Sequence, residues 1–217
     1  MRKNSFFTPK QMVMLALLAS IAYLMVSLIR IPVVMFLKYE PKDVIITIGG
    51  FLFGPMASFV VSLLVSLLEM VTISETGPIG ALMNLLSTCC FACTASYIYK
   101  KNRTMAGAIL ALVIGTIFMT AAMLLWNWLI TPLYMGTPRE AVEVMLLPIF
   151  LPFNLLKAGL NSACILLLYK PVVNGLRRAG LLPATSVKSG SKIGVTVFAA
   201  LLLVTCILFV LVLRGII

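Results

Sequence analysis

Val44-Ile45-Ile46-Thr47-Ile48-Gly49-Gly50-Phe51-Leu52-Phe53, closed by Gly54 and Pro55, is the stretch on which the fold turns. It is apolar throughout, yet too short to cross a hydrocarbon core that takes roughly 20 residues of helix. Glycine and proline at membrane depth are tolerated where the backbone lines a cavity, so a short or broken helix fits the segment best. Whether it counts as a crossing is decided by charge, because Lys and Arg collect on alternate connections of a membrane bundle.

Around it lie six longer apolar runs: Gln11 to Ile29, Met56 to Ile73, Ile79 to Tyr99, Met105 to Ile130, Met145 to Tyr169 and Ile193 to Leu213. With the short segment counted and the N-terminus inside, the inner segments hold Arg2, Lys3, Lys10, Lys100, Lys101, Arg103, Lys170, Arg177, Arg178, Lys188 and Lys192 and no acid. Glu40, Asp43, Glu69, Glu75, Glu140 and Glu143 all fall on outer connections or near outer ends of spans. If the segment did not cross, the basic clusters would be split between the two faces. The expectation is therefore an all-α integral membrane helical bundle of seven crossings, N-terminus cytoplasmic and C-terminus outside. The first run lacks a small-residue cleavage site and is expected to remain as the first helix.

Composition agrees with this reading. Hydrophobic residues make up 62% and charged residues 11% of the 217, against roughly 45–50% and 25% in a soluble domain. Little chain is left for a soluble domain. The net charge of +11 reads as an orientation signal with attraction to anionic lipid heads. Dispersed on loops without an aromatic platform, it gives no nucleic-acid surface. A flexible, basic linker is expected over residues 179–192, between a bundle over 1–178 and a last apolar helix over 193–217.

Several chemistries are excluded. There is no histidine, which removes the usual general base and the commonest metal ligand. No Gly-rich P-loop is present, so coupling to ATP requires a partner. Cys90 and Cys93 have a two-residue spacing but no second pair to complete a zinc set, and small buried apolar roles are expected for the five cysteines. The expectation is no catalytic residue, no metal and no cofactor.

The polar residues inside spans carry the functional signal. Lys157 sits near the middle of the Met145–Tyr169 run, where an ammonium costs roughly 2.5–3.5 kcal/mol even on the lenient insertion scale. Asn154 precedes it and Asn161 follows it at spacings that share one helical face. Asn84 and Asn127 add amides from two other spans. Two outer connections, Phe36 to Asp43 and Trp126 to Gly136, offer a lid of aromatic and hydrogen-bonding groups. Several amides and one cation aimed at one pocket suit a planar heterocycle, with Tyr39, Trp126 and Trp128 as stacking surfaces. Glu69 reads as a solvated or lysine-paired carboxylate. Ala16, Ala19, Ser20 and Ala22 form a small-residue face for close helix approach.

From Thr8 to Arg178 the order of motifs resembles the substrate-binding S components of energy-coupling factor (ECF) vitamin transporters, most closely the riboflavin-specific members. The resemblance rests on the small-residue first helix, Phe36 to Asp43, Gly49 to Pro55, Gly77 to Asn84, Asn127 to Gly136 and Pro152 to Lys157. It implies a six-helix core that captures riboflavin from outside and delivers it through an ECF transmembrane coupling subunit driven by two ATPase subunits in a bacterial cell membrane. It further implies that Asn127, Asn154 and Lys157 bind the ligand, with Asn84 nearby. Tyr39, Glu40, Thr131 and Tyr134 would form the lid, and Ala16 and Ser20 the docking face, where many members carry two alanines. The helix over 193–217 is a departure, because the family fold ends after six. Other readings of the residues alone remain an S component for another vitamin, a membrane-embedded enzyme and an assembly protein.

Overall fold

A computed structural model describes residues 7–35, 37–74, 77–178, 180–181 and 192–214. Thr8 opens the first helix, α1 (Pro9–Leu28), with a capping box: its hydroxyl accepts from Gln11 N at 3.3 Å while the Gln11 side chain accepts from Thr8 N at 2.9 Å. Both groups satisfy helix-start donors that would otherwise be orphaned, and Pro9 needs no such partner. A short antiparallel hairpin follows, β1 (Ile31–Val34) and β2 (Leu37–Tyr39), in register Ile31 with Tyr39 and Val34 with Leu37. It takes the place of an expected irregular connection.

The deciding stretch is α2 (Lys42–Phe53), and α3 (Pro55–Thr72) follows after Gly54, whose φ of 97° suits glycine. The next helical body joins α4 (Gly77–Thr88), a π-helical turn at Cys89–Cys93 and α5 (Thr94–Lys101). Then come α6 (Met105–Met135), α7 (Arg139–Met145), a second π-helical turn at Leu146–Phe150, α8 (Leu151–Arg178) and α9 (Lys192–Leu213). Pro148 explains the second widened turn, since a proline inside a helix removes one hydrogen bond and crowds the carbonyl four residues back.

Six helical bodies are long and apolar enough to cross a membrane: Pro9–Leu28, Pro55–Thr72, Gly77–Lys101, Met105–Leu133, Arg139–Arg178 and Ile193–Val212. The seventh, α2, has 12 residues, a rise of about 18 Å, against a hydrocarbon core of about 30 Å. Its end lies at the basic side, where a Cβ on Gly54 would sit 3.9 Å from Lys100. Its start lies at depth, with Asp43 bonded to Thr88, roughly 16 Å along the body that begins at Gly77. Among the described residues α2 is thus too short to span on its own, and the hairpin precedes it directly. Lys10 donates to the Gly180 carbonyl at 2.8 Å, which brings the start of α1 and the end of α8 to one face.

The stretch from Trp126 to Met135, read as an outer connection, is instead the last part of α6. Pro132 lies close enough to the end that only one ladder bond is lost, and Gly136, at φ 64°, stops the helix in a left-handed cap. On the basic half, α2 approaches α3 and α5 so closely that any Cβ on Gly50 would overlap Ser58 Oγ and Ser96 Oγ, which are bonded to each other at 3.1 Å. Phe51 stacks on Tyr99 at 4.2 Å, and Tyr99 donates to Tyr169. α9 packs against α8, where a Cβ on Gly159 would meet Cys206 Sγ at 3.0 Å, and also touches β1. The expected linker falls almost wholly outside the described residues.

Candidate functional site

Six charged side chains meet in the half of the bundle away from the basic connections. Lys42, at the start of α2, is 1% exposed and reaches Glu69 Oε1 at 2.6 Å and Glu40 Oε2 at 3.0 Å. Glu69, near the end of α3, also accepts from Asn84 Nδ2 of α4 at 3.0 Å. Arg30, which leads into β1, brings Nε within 3.2 Å of Glu40 without hydrogen-bond alignment, and its Nη1 donates to the Ile73 carbonyl. Asp43 is 0% exposed and takes three donors: Thr88 Oγ1 at 2.6 Å, Asn161 Nδ2 at 3.3 Å and Lys157 Nζ at 3.3 Å. Three cations thus face three carboxylates. Charges withdrawn from water survive there because each has an opposite partner and further hydrogen bonds.

The expected lysine pairing of Glu69 is present, with Lys42 as partner. Lys42 and Asp43 belong to the stretch Phe36 to Asp43, expected as an outer connection that offers a lid. The signal available for them was their place directly before the short apolar helix, where an acid in the first turn also meets the helix dipole.

Against this cluster lies a cavity of about 170 Å³, more than ten times the roughly 10–15 Å³ that one water needs. The hairpin contributes Leu37, Lys38 and Glu40, α4 contributes Ile79 to Asn84 and Ser87, α6 runs past it from Met123 to Thr131, and α8 brings Phe153, Asn154 and Lys157. Among the expected site residues, Asn84, Asn127, Asn154, Lys157, Glu40 and Thr131 all line it.

Local bonds aim these groups. Asn127 donates to the Met123 carbonyl at 2.7 Å and accepts from Thr131 at 2.9 Å. Asn154, at the cavity wall, donates to the Phe150 carbonyl at 2.7 Å, inside the widened turn, so its Nδ2 is engaged within its own helix. Lys157 keeps further N–H donors after its contact with Asp43. Trp126, Phe153, Met83 and Ile130 supply apolar wall. The site can therefore hold a flat ring system while hydrogen-bonding its rim.

The remaining expected residues lie elsewhere. Tyr39 stands behind the wall, buried, and donates to Asn161 Oδ1 at 3.1 Å. Trp128 points away, donating to Glu143 at 2.8 Å beneath the Arg139 guanidinium. The Tyr134 side chain lies outside the described residues. Ala16 and Ser20 are exposed on α1, with Ser20 Oγ bonded to the Ala16 carbonyl at 3.0 Å. The five cysteines are free, and among the described residues no group of three metal-binding side chains forms.

A polar pocket inside an apolar helical bundle is the arrangement of a membrane protein with a small-molecule site, and comparison with known proteins specifies its class. The family described as "ECF transporter, substrate-specific component" matches residues 10–169. The chain belongs to this family and is a transport subunit, not an enzyme. It is 30% identical over 186 residues to the "Riboflavin transporter RibU" of Staphylococcus aureus (strain TCH60), covering 82% of this chain and 97% of that protein. It is 31% identical over 183 residues to the "Riboflavin transporter RibU" of Streptococcus thermophilus (strain ATCC BAA-250 / LMG 18311), covering 78% and 86%. The "Riboflavin transporter FmnP" of Bacillus subtilis (strain 168) is 26% identical over 185 residues, covering 78% and 97%. A solved structure described as "Structure and mechanism of the S component of a bacterial ECF transporter" superposes with a TM-score of 0.66 at 31% identity, covering 78% of this chain and 98% of that one. The residues after 169, α9 among them, lie beyond the family match.

Proposed function

We propose that this substrate-specific component captures riboflavin at the outer face of a bacterial cell membrane and delivers it through an ECF transmembrane coupling subunit driven by two ATPase subunits. The observation that carries the reading is the convergence of Asn84, Asn127, Asn154 and Lys157 on one cavity beside Trp126. Carboxamides and an ammonium match the carbonyl and ring-nitrogen rim of an isoalloxazine, and the indole offers it a stacking face. The names of three relatives point the same way. In this reading Asn127, Asn154 and Lys157 bind the ring and the polyol, Asn84 and Thr131 complete the rim, and Glu40, Tyr39 and Tyr134 belong to the covering elements.

The exposed Ala16 and Ser20 form the docking face on the coupling subunit, since small residues let helices approach closely. α1 packs on α2 and α3, whereas α9 packs on α8 and β1. The six-helix core over 1–178 therefore keeps that face free, with α9 as a peripheral addition reached through the 179–192 linker. The basic connections support an N-terminus in the cytoplasm and a C-terminus outside.

The test is direct. The full chain purified in detergent is inspected for the absorbance of retained flavin and then titrated with riboflavin, following quenching of the vitamin's fluorescence. Saturable binding of one riboflavin per chain is expected. A folded protein that leaves the fluorescence unchanged would sink the reading and turn attention to other vitamins, for which Glu40 and Glu69 at the wall would accept from donor-rich heterocycles.

A further inference from the structure

Asp43 does not line the cavity, yet it touches more of the site's framework than any lining residue. It is fully buried in the first turn of α2, and its three donors come from α4 (Thr88) and α8 (Asn161, Lys157). Asn161 in turn accepts from Tyr39 at the end of the hairpin. Lys157 is a long, rotamer-rich side chain whose ammonium has no fixed direction of its own. Among the described residues its ion-pair partner is the Asp43 carboxylate, at 3.3 Å.

We propose that Asp43 is the positioning residue of the capture site: it fixes the Lys157 ammonium at the cavity wall and, through Asn161 and Tyr39, ties that position to the closed hairpin. The proposal rests on the riboflavin reading for its ligand but on the ion pair for its geometry. Ligand binding does not require Asp43 to touch the vitamin. With the carboxylate gone, Lys157 turns toward Glu40 or Glu69, the other acids at the cavity, and no longer presents its donors to the ring.

The experiment is a double-mutant cycle on the full chain, with Asp43→Asn, Lys157→Gln and the pair, each titrated with riboflavin. Asp43→Asn alone is expected to weaken binding about tenfold or more, and to cost no more than about twofold once Lys157 is already glutamine, the signature of coupled residues. Losses that multiply in the double variant would overturn the positioning role. Should Asp43→Asn not give monodisperse protein, Asp43→Glu enters the same cycle, keeping the charge and moving it by one methylene. A second readout needs no vitamin: acetylation of Lys157 by acetic anhydride, followed by mass spectrometry. Held against the fully buried Asp43 the Lys157 amine is screened from the reagent, whereas turned toward Glu40 or Glu69 it lies in the open cavity, so Asp43→Asn should label at least about fivefold faster. Equal labelling rates would refute the coupling. Faster labelling in a protein that binds no riboflavin would overturn the ligand and keep the Asp43–Lys157 linkage.

Discussion

Lys42 and Glu69, each 1% exposed, face one another across the α2–α3 junction, with Lys42 Nζ 2.6 Å from Glu69 Oε1. Neither charge has water to fall back on. Lys42→Met leaves Glu69 and Glu40 short of their shared cation, and the expected loss is about 3–5 kcal/mol of folding stability. Combining it with Glu69→Leu should recover much of that loss, because an absent pair costs less than a broken one. Thermal unfolding midpoints of the single and double variants in detergent check both statements; equal midpoints for wild type and Lys42→Met would contradict them.

Gly50 is where α2, α3 and α5 touch. A methyl group there overlaps both Ser58 Oγ and Ser96 Oγ and breaks the bond between them. Gly50→Ala is expected to destabilise by about 1–3 kcal/mol through overpacking. Adding Ser58→Ala and Ser96→Ala should restore part of the loss by vacating the space, and a lower midpoint still in the triple variant would count against steric overlap.

Asn154 lines the cavity while its amide N–H holds the Phe150 carbonyl. Asn154→Ala should weaken riboflavin binding about tenfold, the equivalent of one buried hydrogen bond near 1.4 kcal/mol. Fluorescence titration measures it. An unchanged dissociation constant would remove Asn154 from the ligand's partners.

Tyr39 ties the hairpin to α8 through its bond to Asn161. Tyr39→Phe should cost about 1 kcal/mol of stability, one buried hydrogen bond, and lower the thermal midpoint in detergent. An unchanged midpoint would argue against this assignment.

The bundle was legible in the sequence to the extent that its periodicities are long. Six apolar runs and the alternation of lysine and arginine announce the spans, and Gly49, Gly50, Gly54 and Pro55 delimit α2. The hairpin was not legible, since strands of four and three residues are too short to show alternation. Nor was the end of α6, where Pro132 and Gly136 read as a connection although a proline this close to a helix end costs only one ladder bond. Asn84, Asn127, Asn154 and Lys157 stand out because polar groups inside apolar runs are costly. Lys42 and Asp43 do not, because they sit among hydrophilic neighbours and only tertiary packing against Glu69 and Lys157, distant in the chain, reveals that they are buried.

The cluster of Arg30, Lys42 and Lys157 with Glu40, Asp43 and Glu69 has one more consequence. A single charge carried through the bilayer field gains or loses about 2.3 kcal/mol per 100 mV. These six sum to zero when all are ionised, so carrying them together along the field does no net electrical work. Capture at this site should proceed equally in energised and depolarised cells.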